Sequence, residues 1–161
     1  MKVSLWGCVV LCGSAVLSMS PAIAANVPCP DLSEAVQVAT CPTEEDLKFT
    51  FTGFCSDNAR IYGKDTDVCT DYRRYRQLKN VALWESRDGE FQAYISCDLP
   101  VKTVKIAKAS KIASVKKGSI TQLICTYRDG VVFTNRTKAE CTVDGNERCA
   151  TDPVACVAQC Q

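Results

Sequence analysis

The stretch VALWESRDGEFQAYISC, residues 81–97, decides the fold class. Two apolar runs flank Arg87-Asp88-Gly89, and Asp-Gly in that setting is the strongest short-range hairpin signal, because both central turn positions need positive φ. Beyond the turn, Phe91, Ala93, Ile95 and Cys97 alternate along one face, which is the period of a half-buried strand. Working outward, Arg128-Asp129-Gly130 repeats the device between residues 121–127 and 131–134, and residues 120–125 form a short apolar run ending on Cys125. The expected class is mainly β within α+β. It is a single disulfide-rich domain, an antiparallel sheet with hairpins at Asp88-Gly89 and Asp129-Gly130 and short helices at its edges.

Other segments add to this frame. Leu47, Phe49 and Phe51 alternate with Lys48, Thr50 and Thr52, which predicts a further strand closed by Cys55. Leu32, Ala35, Val36 and Ala39 recur at helical spacing behind Pro30 and a capping Asp31, so a short helix is expected within residues 31–40. Tyr72, Tyr75 and Leu78 stand three apart and predict a helical turn or two over residues 71–79. In the closing RCATDPVACVAQCQ, residues 148–161, Asp152 can cap and Pro153 can open a short helix over residues 154–159. Cys156 and Cys160 would then stand roughly 5 to 6 Å apart at Cβ, beyond the roughly 3.5 to 4.5 Å of a disulfide, so each is expected to bond elsewhere and fasten the tail twice.

The compartment is written near Met1. Met1-Lys2, an uncharged run over residues 3–19, Pro21 and Ala22-Ile23-Ala24-Ala25 supply the three parts of a secretory signal peptide. The run falls short of the roughly 20 apolar residues of a spanning helix. The expected organisation is a signal peptide over residues 1–25, cleaved near Ala24/Ala25, and a disulfide-stabilised domain over residues 26–161. That domain is expected to be secreted or periplasmic, with no transmembrane segment.

Of twelve cysteines, removal of Cys8 and Cys12 with the leader leaves ten: Cys29, Cys41, Cys55, Cys69, Cys97, Cys125, Cys141, Cys149, Cys156 and Cys160. An even number in an exported chain predicts disulfides, each typically contributing about 2 to 4 kcal/mol. Neither a metal nor another cofactor is expected, since the chain has no histidine and no Cys-x-x-Cys knuckle. The same missing spacing excludes a thioredoxin-like redox pair.

Cys41-Pro42-Thr43-Glu44-Glu45-Asp46-Leu47-Lys48, then Trp84, then Ile124-Cys125-Thr126-Tyr127 resembles an uncharacterised family of small exported bacterial proteins. Such proteins open on Cys-Pro, carry a central Trp and close on Cys-x-Tyr. The resemblance covers about residues 41–143, and the chain departs from it in its many more cysteines and its Cys-rich tail. It implies fold and source, and no catalytic residues.

Absence of histidine also removes the commonest general base. Glu85, Asp88 and Glu90 cluster at a hairpin where two carboxylates could act as in a glycosidase. Ser110 beside Lys111 is a poor serine–lysine pair, because neighbours on a strand point to opposite faces. There is no Gly-rich phosphate loop, and Asn135-Arg136-Thr137 is the one asparagine sequon. Charge is uneven along the chain: residues 73–117 carry eleven basic and four acidic side chains, whereas residues 26–72 carry three basic and nine acidic ones. This asymmetry is a dipole if the two segments occupy different faces.

Lys102, Lys105, Lys108, Lys111, Lys116 and Lys117 are therefore the candidate ligand-binding residues, suited to an anionic ligand. The plainer reading is a solvated edge strand whose lysines guard against aggregation. Tyr72-Arg73-Arg74-Tyr75-Arg76 mixes aromatic and basic residues as single-strand binding does, but exported proteins seldom meet nucleic acid and none is expected. The expected function is a non-enzymatic secreted binding module, an effector or inhibitor that recognises an unidentified protein or anionic surface ligand. The alternatives are a small secreted hydrolase using a carboxylate pair and a structural envelope component.

Overall fold

A computed structural model of the chain describes residues 24–144 and 146–161, so nearly all of the expected signal peptide lies outside the described residues. Within them, nine strands build two antiparallel sheets: β1 (Ala25–Pro28), β2 (Val36–Gln37), β3 (Val81–Glu85), β4 (Gln92–Ser96), β5 (Ala109–Lys117), β6 (Ile120–Tyr127), β7 (Val132–Thr137), β8 (Cys141–Thr142) and β9 (Val157–Cys160). The main sheet has the order β2-β3-β4-β7-β6-β5 and the smaller one β1-β9-β8. With six short α-helices alongside, the fold is α+β, as the two hairpins imply.

Both hairpins form, by different turns. At the second, Asp129 and Gly130 both adopt positive φ, 60° and 74°. At the first only Gly89 does, at 74°. There the Asp88 carboxylate accepts from the Ser86 hydroxyl and the Glu90 amide, and Ser86 and Phe91 close a four-residue loop through the Ser86 amide to the Phe91 carbonyl, 2.9 Å.

All ten cysteines among the described residues are paired: Cys29–Cys125, Cys41–Cys97, Cys55–Cys69, Cys141–Cys160 and Cys149–Cys156. The first three are nested one inside the next, and so are the last two. No bridge crosses another.

One face of the main sheet carries the core. Trp84, Ile95, Ile112, Leu123, Cys125, Tyr127 and Phe133 are buried there, beneath Leu32, Val104, Cys149, Cys156 and Ala158. The covering elements are a 3-10 turn (Leu32–Glu34), the later helices Val101–Ile106 and Asn146–Thr151, and the smaller sheet.

Four helices, α1 (Glu44–Phe54), α2 (Asn58–Ile61), α3 (Thr66–Thr70) and α4 (Tyr72–Lys79), make a lobe of their own; α5 (Val101–Ile106) and α6 (Asn146–Thr151) follow later. The lobe packs Phe51 and Phe54 against buried Tyr75 at 5.1 and 5.5 Å between ring centroids. The Cys55–Cys69 bridge closes it, and Cys41–Cys97 ties its root to the end of β4. Arg76 pairs within the lobe with Glu44 at 3.2 Å and joins it to the sheet through Asp98, just past β4, at 2.8 Å.

Several local expectations are corrected. Residues 47–52 are helical in α1, where Thr43 and Asp46 form a capping box; their side chains exchange bonds with each other's amides at 3.1 and 3.0 Å. Leu47, Phe51 and Phe54 share the inner helical face, and the alternating Phe49 is left 79% exposed. The helix expected in residues 31–40 is only a single 3-10 turn capped by Asp31, because the β-branched Val36 then enters the edge strand β2. In the tail, Asp152 caps a 3-10 turn (Pro153–Ala155), but Val157–Cys160 is strand, drawn out by pairing with β1 from Pro28↔Val157 to Ala25↔Cys160. Cys125 lies inside β6 and does not end it. The helix expected at residues 71–79 is α4.

Candidate binding face

The core face of the main sheet is covered, and its other face is open. Cross-strand register fixes what stands on it. Leu83 pairs with Tyr94, and the Val38 amide bonds to the Leu83 carbonyl at 2.9 Å. One row further, Val36 pairs with Glu85, Glu85 with Gln92, Gln92 with Thr134, and Thr134 with Ile124. Val132 pairs with Thr126, and Thr126 with Lys111. Side chains alternate across a pleated sheet, so these residues share the outer face.

An antiparallel sheet with one solvated face ordinarily places polar residues outward. Here Val36, Val38, Leu83, Tyr94, Ile124 and Val132 stand there instead. Tyr94 is 75% exposed, Val36 and Val38 about half, and Val132 38%. Apolar side chains therefore stand where solvent ordinarily selects polar ones.

The sheet also opens at its centre. β4 and β7 share one register pair, Gln92↔Thr134, whereas β6 and β7 share six. On one side of that pair is a cleft of about 490 Å³, reaching Glu90, Ala93 and Arg136. On the other is one of about 540 Å³, reaching Ile95, Asp98, Asp129 and Val131. Tyr94 and Val132 line both.

The six candidate lysines are spread along one border. Lys102 and Lys105 lie on α5, Lys108 follows it, and Lys111, Lys116 and Lys117 lie on β5, the edge strand opposite β2. Six residues of strand separate Lys111 from Lys117 by roughly 20 Å. Lys108 approaches Asp31 at 3.8 Å, Lys116 pairs with Glu140, and Lys105 donates to the Ser33 carbonyl at 3.2 Å. Lys102, Lys111 and Lys117 have no ion-pair partner among the described residues. Of the six, Lys111 and Lys117, opposite Thr126 and Ile120, are the two on the open face.

Nor do the two oppositely charged segments occupy separate faces. Arg74–Asp67 at 2.9 Å, Arg76–Glu44 at 3.2 Å, Arg87–Glu34 at 2.7 Å and Lys108–Asp31 each join one segment to the other. The asymmetry is used in pairing across the fold.

The hairpin carboxylates are arranged for the turn. The Ser86 hydroxyl, followed by the Glu90 amide, holds Asp88 below the ordinary carboxylate range, opposite to what a general acid requires. Glu85 receives the Gln92 side-chain amide at 3.0 Å. Ser110 sits at a bulge in β5 and donates to the Thr126 carbonyl at 3.2 Å. Among the described residues no three His, Cys, Asp or Glu side chains gather as a metal site, and no helix is long and apolar enough to cross a membrane.

No protein family, curated protein or solved structure matches the chain.

Proposed function

We propose that the chain is an exported, non-enzymatic binding module, an effector or inhibitor that recognises a partner protein through the outer face of its main sheet, with Tyr94 at the centre. The observation that carries this reading is the run of outward apolar side chains across β2, β3, β4 and β7, where solvent would select polar ones. Five strand spacings of about 4.8 Å and strands of about 20 Å give a face on the order of 500 Å², more than half of the roughly 800 Å² that one partner contributes to a stable interface. Tyrosine is a frequent interface anchor, and the clefts on either side of Tyr94 can receive side chains of the partner. The disulfide frame limits what the surface must order on binding. Lys111 and Arg136 place positive charge on the same face, which suits a partner with acidic groups around an apolar centre.

The test is photocrosslinking from position 94 in extracts of target cells, followed by affinity measurement with the partner so captured. Tyr94→Ala is expected to weaken binding by about 30-fold, equivalent to about 2 kcal/mol. The joint replacement of Lys102 and Lys105, both on α5 and off that face, by alanine should change it little. Salt-sensitive binding that depends on those two lysines and survives Tyr94→Ala would replace this reading by the anionic-ligand one.

A further inference from the structure

A smaller cavity, of about 200 Å³, lies on the opposite side of the molecule's core layer from the open face. Its walls are Pro28, Pro30, Pro153, Ala107, Ala109 and Tyr127, with Val154 at the lip. The walls are stiff. Three prolines have fixed φ, Cys29–Cys125 runs beside Pro28 and Pro30, and Cys149–Cys156 anchors the turn that carries Pro153. They also offer few donors, since proline has no N–H and the Tyr127 hydroxyl is already committed to the Pro30 carbonyl at 2.6 Å.

The cavity exists because two wall residues are small. Ala107 and Ala109 are both buried, and neither fills the space before Tyr127. A pocket of about 150 Å³ is enough for a benzene ring, so this one has room for a ring and a short stem.

The rim is charged with both signs. Asp31 and Lys108 line the same cavity, their nearest atoms 3.8 Å apart and both side chains more than half exposed. That separation is an ion pair without a hydrogen bond, and so leaves both groups able to take new partners. Asp31 Oδ1 accepts from the Ser33 amide at 3.0 Å, and the Ser33 side chain also stabilises this carboxylate. The Ser33 amide holds this carboxyl below the ordinary range, which keeps it ionised at neutral pH.

We propose that this cavity is a binding site for a free aromatic α-amino acid, with the ring against Tyr127 and the prolines, the ammonium on Asp31 and the carboxylate on Lys108. Only a ligand carrying both charges on the atom next to its ring stem satisfies the two rim groups together. A hydrocarbon would leave the rim unused, and a cation or anion alone would use half of it. The site is separate from Tyr94 and stands whether or not the sheet face binds a protein.

Titration of the oxidised protein with L-phenylalanine, followed by ¹H–¹⁵N NMR, tests this directly. Saturable shifts centred on Ala107, Ala109, Tyr127 and Val154 are expected. Phenethylamine and 3-phenylpropanoate, which each lack one charge, should bind roughly two- to fivefold more weakly, as should L-phenylalanine to Asp31→Asn or Lys108→Met. Asparagine keeps the cap of the 3-10 turn, so that variant retains the fold. Ala109→Leu should abolish binding by filling the pocket. Absence of saturable shifts, shifts located elsewhere, or phenethylamine or 3-phenylpropanoate binding as tightly as L-phenylalanine overturns the proposal.

Discussion

Removing the outermost bridge with Cys29→Ala and Cys125→Ala probes the covalent frame most sharply. Cys125 is fully buried in β6 and Cys29 directly follows β1, so this bridge fastens the smaller sheet to β6, an interior strand of the main one. The two residues are 96 apart. Taken alone, that separation gives a loop-closure contribution of about 4.7 kcal/mol.

Nesting shortens the loop. With Cys41–Cys97 intact, the unfolded path runs from Cys29 to Cys41, across that bridge, and from Cys97 to Cys125. That is about 40 residues, and the contribution falls to about 3.9 kcal/mol. Loss of two sulfur atoms from the core adds about 1 kcal/mol. The innermost bridge, Cys55–Cys69, closes only a short loop and contributes about 3 kcal/mol. Equilibrium urea unfolding without reductant reads both, with intact mass confirming that the other four bridges remain. At a slope of about 2 kcal/mol/M, the midpoint should fall by roughly 2.5 M for the outer pair and roughly 1.5 M for the inner one. A smaller fall for the outer pair than for the inner refutes the nested connectivity.

Three further outcomes are expected. Thr43→Ala removes half of the capping box of α1 and should cost about 1 kcal/mol in the same assay, whereas a strand at residues 47–52 would feel nothing. Gly130→Ala should cost about 1 to 2 kcal/mol although no atom lies within 4 Å of the added Cβ, since the residue sits at φ 74°; an unchanged midpoint would disprove that backbone. Asp31, Glu44, Asp46, Asp71, Asp88, Asp98 and Glu140 all have carboxyl groups held below their ordinary range by hydrogen bonds in the fold. Stability from such groups is present above the unfolded-state value, about 4, and is lost as pH falls through the native values. The urea midpoint should therefore hold down to about pH 5 and drop below about pH 4, and a level profile to about pH 2.5 refutes these contacts.

What could be read from the chain follows from how local each signal is. Asp-Gly turns act within four residues, and both hairpins were therefore legible. The Leu47-Phe49-Phe51 alternation misled because the same segment also places Leu47, Phe51 and Phe54 four and three apart, and Thr43 and Asp46 break the tie toward helix. In the tail, Val157-Ala158-Gln159-Cys160 follows a cap and a proline that favour a helical start, but β1 supplies a strand partner some 130 residues away. Disulfide partners depend on such distant pairings too. The open face was hidden for a related reason. Leu83 and Ile124 look like core residues until register shows them on the same side as Tyr94, and the unbroken Val81-Ala82-Leu83-Trp84 was its one local sign. The lysine segment was visible as charge, but its spread along a helix and an edge strand was not.

The five bridges read along the chain like correctly closed brackets: each cysteine that closes a pair closes the most recent one left open. A chain threaded through a membrane from its N-terminal end would meet its partners in that order, innermost first, without holding a sulfur back for a crossing. One cut between Cys125 and Cys141 would also divide the molecule into two closed covalent bodies, while a cut inside either set would leave its pieces joined.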